Sequence, residues 1–525
     1  MKRRTFVKGT AAAAGVTLVG SPARAATVAV TRTWRRAVVV GSGFGGSVSA
    51  LRLTRAGVKV TLLEQGRAWP TGPNATTFPT LRTPDARLLF YEAVPEILRI
   101  PIPLPPYAGL LNAVASPTMV IMSGVGYGGG SLTYQGMTLQ PARAVFEHEF
   151  PGGIDYDEMA VEHYPRVRRM LGAATAPDEI VNSSNYHASQ VFKRRAEAAG
   201  FTVDRIPMPI DWSFAVRELH GEMTPSYTNG DCAVGVNNGG KHSLDVTYLR
   251  AAHRTGRLEV RLLHRVVDIA RDKAGRWEVH VLRTDVHGAP LQRLIITTPT
   301  LVLGAGSANT SKMLVRAGAT GMIPDLPDQV GANWGSNADR IYAWTPLDEN
   351  LGVPQGGPVV FGSKEWHDPA YANTVIQASV PPLIFPGPGA DANTTILVGY
   401  GVSKGRGRFV YDSLLDQAIL SWPSDGDAEI QARRIGPRVQ AVAGPTSLLV
   451  DTNAVLPWTW HPMGGVSMGA ACDFQGRVHG QRGLYVLDGA FLPGSSAACN
   501  PSMTIAALAE RAMKRIVRAD VGRII

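Results

Sequence analysis

The sequence predicts an α/β protein built on a parallel sheet covered by helices. Three observations carry the prediction: a strand–glycine turn–helix–strand unit at residues 34–64, two further apolar strands ending in small residues at 301–306 and 484–489, and a periodic helix near the C-terminus.

The first unit reads WRRAVVVGSGFGGSVSALRLTRAGVKVTLLE, from Trp34 to Glu64. Ala37 to Val40 is the apolar, β-branched run expected of a buried parallel strand. Gly41-Ser42-Gly43-Phe44-Gly45-Gly46 then matches G-x-G-x-x-G, a helical stretch carries Val48, Leu51 and Leu53, and Val58 to Leu63 forms a second strand ending at Glu64. The glycines permit a tight turn, close approach of backbone to a pyrophosphate, and helix–strand contact. The N–H groups of the helix face the phosphates. Glu64, 18 residues after Gly46, is placed to accept from both ribose hydroxyls. A carboxylate there disfavours a 2′-phosphate, which leaves FAD or NAD. Three later segments favour FAD, an extended ligand crossing the carboxyl ends of several strands: the glycine-rich SGVGYGGGSLTYQGM (123–137), LVLGAG (301–306) with a helix-like stretch from Asn309 to Arg316, and LYVLDG (484–489), which sets Asp488 and Gly489 at a strand end.

Cys499-Asn500-Pro501-Ser502-Met503 opens the last helix, which runs to about Arg518 with Ile505, Leu508, Ala512 and Ile516 at helical spacing. Pro501 suits the first turn, where its missing N–H costs nothing. Asn500 has two readings: a simple N-cap, or a side chain beside a reduced flavin, whose negative charge the positive helix end would offset. His461, in WTWHPMGGVSMG, has two readings as well: a packed ring between tryptophans, or a proton carrier facing a cavity. Oxidising an alcohol moves a hydride to flavin and a hydroxyl proton elsewhere; a neutral imidazole can take that proton and an amide can orient the oxygen. The loops carrying His461 and Asn500 flank the Asp488 strand, which lets both reach one flavin face.

These stretches resemble a known family. VVVGSGFGGSVSALRL, GGGSLTYQG, WHPMGGVSMG and LYVLDGAFLPGSSAACNPSMTIAALAER are similar to the glucose–methanol–choline (GMC) flavin oxidoreductases. NNGGKHSLDVTYL, LVLGAGSANTSKMLVRA, VGANWGSN and GRFVYD point to its cholesterol oxidase subgroup, and the similarity runs from about Trp34 to the end. The resemblance implies non-covalent FAD in a Rossmann-type domain and a second α+β domain whose sheet roofs a buried apolar pocket for a sterol. It places the family histidine and asparagine on His461 and Asn500, and FAD contacts on Phe44, Gly45, Glu64, Gly130, Met137, Val266, Gly489, Asn500 and Ser502. With Gly41, Gly43, Gly46 and Asp488 from the motifs, these form the expected cofactor site. Family substrates reach the flavin beneath mobile loops, and the proline-rich Trp69–Tyr107 segment reads either as such a lid or as a rigid surface loop. O2 as electron acceptor, a monomer and transient contact with a membrane surface to collect substrate are expected.

The sequence departs from the subgroup at three places. Ala378 stands where a glutamate moves the proton during double-bond isomerisation, and no glutamate occurs between Glu365 and Glu429; Asp368 and Asp391 are the nearest acids. Tyr134-Gln135 replaces an Asn-Gly near the ring, and Ser502 replaces a phenylalanine. Alcohol oxidation without the isomerase step is therefore expected.

Residues 1–25 read as a twin-arginine export signal: basic Lys2, Arg3 and Arg4, an apolar run from Gly9 to Gly20 too short to span a bilayer, and Ala23-Arg24-Ala25 for cleavage. A secreted protein follows. The segment holds five basic residues and no acid, so its removal takes the net charge from +10 to +5. That mild excess, without a basic cluster, excludes a nucleic-acid partner. Cys232, Cys472 and Cys499 form no disulfide framework. No metal site is expected. The FAD domain is assigned to 34–140, 228–330 and 455–525, and the substrate domain to 141–227 and 331–454. Rival readings are a dehydrogenase using a quinone or protein acceptor and a redox-silent flavoprotein that binds or isomerises an apolar ligand; a serine hydrolase lacks support, because no G-x-S-x-G nucleophile elbow has a sensible strand before it.

Overall fold

The computed structural model describes residues 29–90, 105–352, 355–379, 393–454 and 457–525. The export segment lies outside these, as do the middle of the Trp69–Tyr107 segment and nearly all of the Pro381–Asn393 loop.

Five parallel strands form the central sheet, in the order Leu484–Val486, Leu301–Leu303, Ala37–Val40, Val60–Leu63, Leu258–Arg261. The inner strands are apolar apart from Thr61 because both faces are covered: Ala37, Val38, Val39, Leu301 and Leu484 have no exposed surface. Their registers align the carboxyl ends. Leu303 pairs with Val40 on one side and Val486 on the other, and Val40 pairs with Leu63. Gly41, Glu64, Gly304 and Leu487 therefore emerge along one edge.

The helix Phe44–Arg55 lies against this sheet, and the C-terminal helix Pro501–Asp520 packs along it. Buried Glu510 ties the two, accepting from Arg52 Nε at 2.6 Å and from the Tyr248 hydroxyl at 3.1 Å. The observed C-terminal helix extends two residues past the expected end.

A four-stranded sheet, Val30–Trp34, Pro290–Thr298, Trp277–Thr284 and His264–Arg271, stands beside the central one. Its first strand precedes the sequence-assigned boundary at residue 34. That strand, VTRTW, is an exposed edge with no apolar run, so its sequence carries no strand signal.

The roof is a six-stranded antiparallel sheet: Ser447–Asp451, Arg340–Pro346, Thr395–Gly401, Asn373–Ala378, Phe361–Glu365 and Asp204–Arg205. All its strands fall within 141–227 and 331–454. A three-stranded sheet, Trp458–Thr459, Val120–Gly124 and Leu111–Ala115, links the His461 loop to the second glycine-rich segment.

Candidate active site

A cavity of about 1110 Å³ runs from the carboxyl edge of the parallel sheet to the underside of the roof. Its dinucleotide end is lined by Gly41, Gly43, Phe44, Gly45, Glu64, Gly130 and Val266. Protein packing alone demands some of these glycines. A Cβ on Gly45 would lie 2.0 Å from the Leu487 carbonyl oxygen, and one on Gly46 would lie 2.0 Å from that of Gly41. Gly41 has φ +90°, which L side chains rarely adopt. Gly46 does not line the cavity; it serves the helix–strand contact. Gly43 and Gly130 differ: a Cβ on Gly43 would meet only the Gly304 oxygen, at 3.9 Å, and one on Gly130 nothing within 4 Å. Among the described residues, no protein neighbour accounts for the missing side chains there. A dinucleotide pressed against the turn does, so the residues fit FAD.

Glu64 is buried at the strand end. Its Oε2 accepts from Ser42 N (3.1 Å) and Ser42 Oγ (2.7 Å), and Oε1 accepts from Gly66 N (2.9 Å). Burial pushes its carboxyl up against the pull of these bonds. These bonds fix the carboxylate at the strand end where the sequence places the ribose hydroxyls. Asp488 lines the wall beside Gly489, yet its carboxylate is occupied by Gly306 N (2.8 Å), Thr310 Oγ1 (2.5 Å) and Ala490 N (2.8 Å). It pins two strand-end turns together, and burial pushes it up to about 6.

At the other end the two sequence-predicted chemical groups meet. Asn500 sits at the N-cap position of the last helix, but its side chain makes no capping bond. Its Nδ2 lies 3.1 Å from His461 Nε2, and its Oδ1 accepts from the Tyr400 hydroxyl at 2.8 Å. Ala497 and Ala498, at φ 56° and 60°, turn the chain into this position, a strain of about 1–3 kcal/mol each that packing must hold. Ser502 Oγ reaches the Met137 carbonyl at 3.4 Å, closing the wall where both residues line the cavity.

Three residues at this end were not read from the sequence. Asp339 Oδ1 lies 2.6 Å from His461 Nδ1, while its Oδ2 accepts from Thr459 Oγ1 (2.7 Å) and Trp460 N (3.0 Å). Tyr400 stands edge-on to the imidazole, ring centroids 5.4 Å apart. Buried Lys241 donates to the carbonyls of Leu132 (3.0 Å) and Tyr134 (2.6 Å), holding the turn whose Tyr134 ring lies edge-on to Phe44. Burial pushes the Lys241 ammonium down to about 8.

The roof contributes Ile341, Val359, Ile376, Ala378, Ile396 and Val398. Ala378 is buried and lines the cavity at the departure from the family pattern. Among the described residues, the carboxylates lining the cavity are Glu64 and Asp488 at the dinucleotide end and Asp416, which pairs with Arg316. Asp368 caps a short turn at Ala370 N and pairs with Arg434. Asp391 lies outside the described residues. Among the described residues, three side chains, Glu158, Glu162 and His163, have ligand atoms close enough to hold a metal ion. Arg515, Lys514 and Arg511 already pair with these carboxylates, so the cluster is an ion-pair network.

Fold and site together define a dinucleotide-dependent oxidoreductase with an imidazole and an amide at its reacting end. The sequence matches the GMC oxidoreductase family over residues 104–336 and 432–509, and a Rossmann-like NAD(P)-binding domain over 39–90. The chain belongs to the GMC oxidoreductase family and is an FAD-binding enzyme acting on alcohols. It is 25% identical to a cholesterol oxidase of Acinetobacter baumannii (91% of this chain, 94% of the relative) and 26% identical to one of Mycobacterium tuberculosis (90% of each). A paromamine 6'-oxidase of Streptomyces fradiae is 24% identical over 94% of this chain and 93% of its own. The crystal structure of pyridoxine 4-oxidase from Mesorbium loti shares the fold at a TM-score of 0.63 and 16% identity, covering 92% of this chain and 99% of that one.

Proposed function

We propose that the protein is an exported oxidase of a secondary alcohol on a sterol-like or other polycyclic apolar substrate, and that it lacks the steroid isomerase step. The observation that carries this reading is the 3.1 Å approach of Asn500 Nδ2 to His461 Nε2 at the roofed end of the cavity. Bound FAD supplies the acceptor for the carbinol hydride, with O2 as final oxidant. The substrate hydroxyl approaches the two side chains from the cavity: its oxygen accepts from Asn500 Nδ2 and its proton passes to His461 Nε2. General-base help of this kind is worth about 10²–10⁴-fold in rate. The aliphatic roof excludes water and suits a ring system without polar edges. The cholesterol oxidase relatives support this over the polar alcohol that the name paromamine 6'-oxidase implies.

FAD would be held by backbone from Gly41 to Gly45 and at Gly130, by Glu64 on the ribose, and by Met137, Val266, Gly489, Asn500 and Ser502. The first turn of the last helix, uncapped by the Asn500 side chain, would offset negative charge on a bound cofactor with its positive end. Ala378 offers no group to shuttle a proton along a steroid ring, which supports loss of the isomerase step. The hairpin tip Leu414 and Leu415, 94% and 59% exposed, adjoins the cavity-lining Asp416 to Ala418 and supports transient contact with a membrane surface. The basic and apolar pattern of residues 1–25 supports export. Purified protein incubated in air with hydroxysteroids and terpenoid alcohols tests the reading. It predicts a ketone and one equivalent of peroxide from a polycyclic secondary alcohol. Ketone without peroxide would favour a dehydrogenase, and no turnover of any alcohol a redox-silent flavoprotein.

A further inference from the structure

We infer that Asp339 is the positioning residue of the proton transfer: it locks His461 in the Nδ1–H tautomer and stabilises the imidazolium formed when Nε2 takes the hydroxyl proton. The inference rests on the reading of His461 as the base.

The hydrogen-bond pattern favours one arrangement. An ionised carboxylate only accepts, so the proton between Asp339 Oδ1 and His461 Nδ1, 2.6 Å apart, belongs to the ring. Asn337 Nδ2 also approaches Nδ1, at 3.2 Å, but it donates to the Cys499 carbonyl at 3.0 Å, and its Oδ1 accepts from Ser496 Oγ. On the opposite side the Tyr400 hydroxyl occupies Asn500 Oδ1, which leaves Nδ2 to donate to Nε2. With the proton on Nδ1, Asp339 receives a donor and the Nε2 lone pair accepts from Asn500 Nδ2; only the 3.2 Å approach of Asn337 to Nδ1 goes unused. With the proton on Nε2, that nitrogen would face a donor and Nδ1 would set a lone pair against a carboxylate.

Asp339 is itself fixed. Thr459 and Trp460, from the loop that carries His461, hold its second oxygen, and its side chain is 3% exposed. Asn337 and Ala338, at φ 61° and 55°, bend the chain just before it. In the step itself the O–H bond breaks and an N–H bond forms at Nε2. The electron pair left on oxygen becomes the second bond of the ketone as the carbinol hydride departs. Positive charge then sits on the ring, within reach of the carboxylate.

The other titratable groups around the pair cannot substitute. Tyr400 and Cys499 are both pushed upward by burial and stay neutral. Lys364 pairs with Asp204, and Arg340 with Asp451. Asp427, one step beyond Asn337, accepts from Ser336 Oγ, Ser403 Oγ and Lys404 N.

The test compares Asp339→Asn, His461→Gln and the double variant in the FAD-loaded enzyme, using an alcohol the wild type turns over. Asp339→Asn is expected to lower kcat about 10²–10⁴-fold with KM and FAD content little changed. The double variant matches His461→Gln. A kcat within threefold of wild type, a loss that appears in KM rather than kcat, or losses that multiply in the double variant would overturn the role of Asp339. Full activity in His461→Gln would instead overturn the reading of His461 itself. Should Asp339→Asn not fold, the tautomer in wild-type protein decides, read by NMR on ¹⁵N-histidine-labelled enzyme: Nδ1–H is expected, and Nε2–H contradicts the inference.

Discussion

The Tyr400 hydroxyl donates to Asn500 Oδ1 at 2.8 Å, and that one bond sets which end of the amide faces His461. Tyr400 lies on the roof strand Thr395–Gly401 and Asn500 heads the last helix, so the roof orients a group of the FAD domain. Tyr400→Phe keeps the ring against His461 and frees the amide to rotate. A neutral hydrogen bond contributes about 0.5–1.5 kcal/mol, so kcat should fall up to about tenfold, with FAD content unchanged. Steady-state kinetics check it.

Gly43 and Gly45 should fail in different ways. A Cβ on Gly43 enters the cavity without touching protein, so Gly43→Ala is expected to fold and to lose FAD, seen in the flavin-to-protein absorbance ratio. A Cβ on Gly45 would lie 2.0 Å from backbone oxygen. Gly45→Ala is therefore expected to be insoluble or to melt well below wild type.

Glu510 has no exposed surface and braces the two helices whose N-termini face the cavity. Glu510→Ala leaves Arg52 and Tyr248 without their acceptor. Removing one member of a buried ion pair costs about 3–5 kcal/mol; Arg52 keeps 20% side-chain exposure, which points to the lower figure. Denaturant unfolding of wild type and variant measures it.

Asp488 makes stability depend on pH. Burial raises its carboxyl to about 6, above the ordinary aspartate value, so between about pH 4 and 6 the folded chain holds a proton that the unfolded chain has released. Its contribution to stability is full at low pH and is lost as pH rises to 6. The melting temperature of Asp488→Asn relative to wild type should therefore climb across that interval and level off above it. A flat difference would show that the group is ionised throughout.

Ala378 at the roof predicts that 5-cholesten-3-one is returned unchanged. Efficient appearance of conjugated-enone absorbance would mean that another residue carries the proton.

The dinucleotide unit was legible because its signals are local: an apolar strand, glycines at fixed offsets and an acid within one strand–helix–strand stretch. His461 and Asn500 were legible as a pair because a single strand, Leu484–Val486, separates their loops. Asp339 was not. It lies 122 residues before His461 and reaches it only because the roof strand beginning at Arg340 crosses above the FAD domain. No spacing rule reports such a contact, although Asp339 stands two residues past the VGANWGSN stretch that carried the family resemblance. Tyr400 was hidden similarly, as one aromatic in a buried strand. The Asn500 ambiguity resolved in both directions at once: its backbone occupies the cap position and its side chain does not cap.

The central claim is that His461 and Asn500 act together on one alcohol, and anaerobic rapid mixing tests it most directly. Wild-type enzyme mixed with a polycyclic secondary alcohol should bleach its flavin absorbance, and His461→Gln should bleach it at least about a hundredfold more slowly with flavin still bound. Equal bleaching rates in the two proteins, or no bleaching by any such alcohol, would contradict the account.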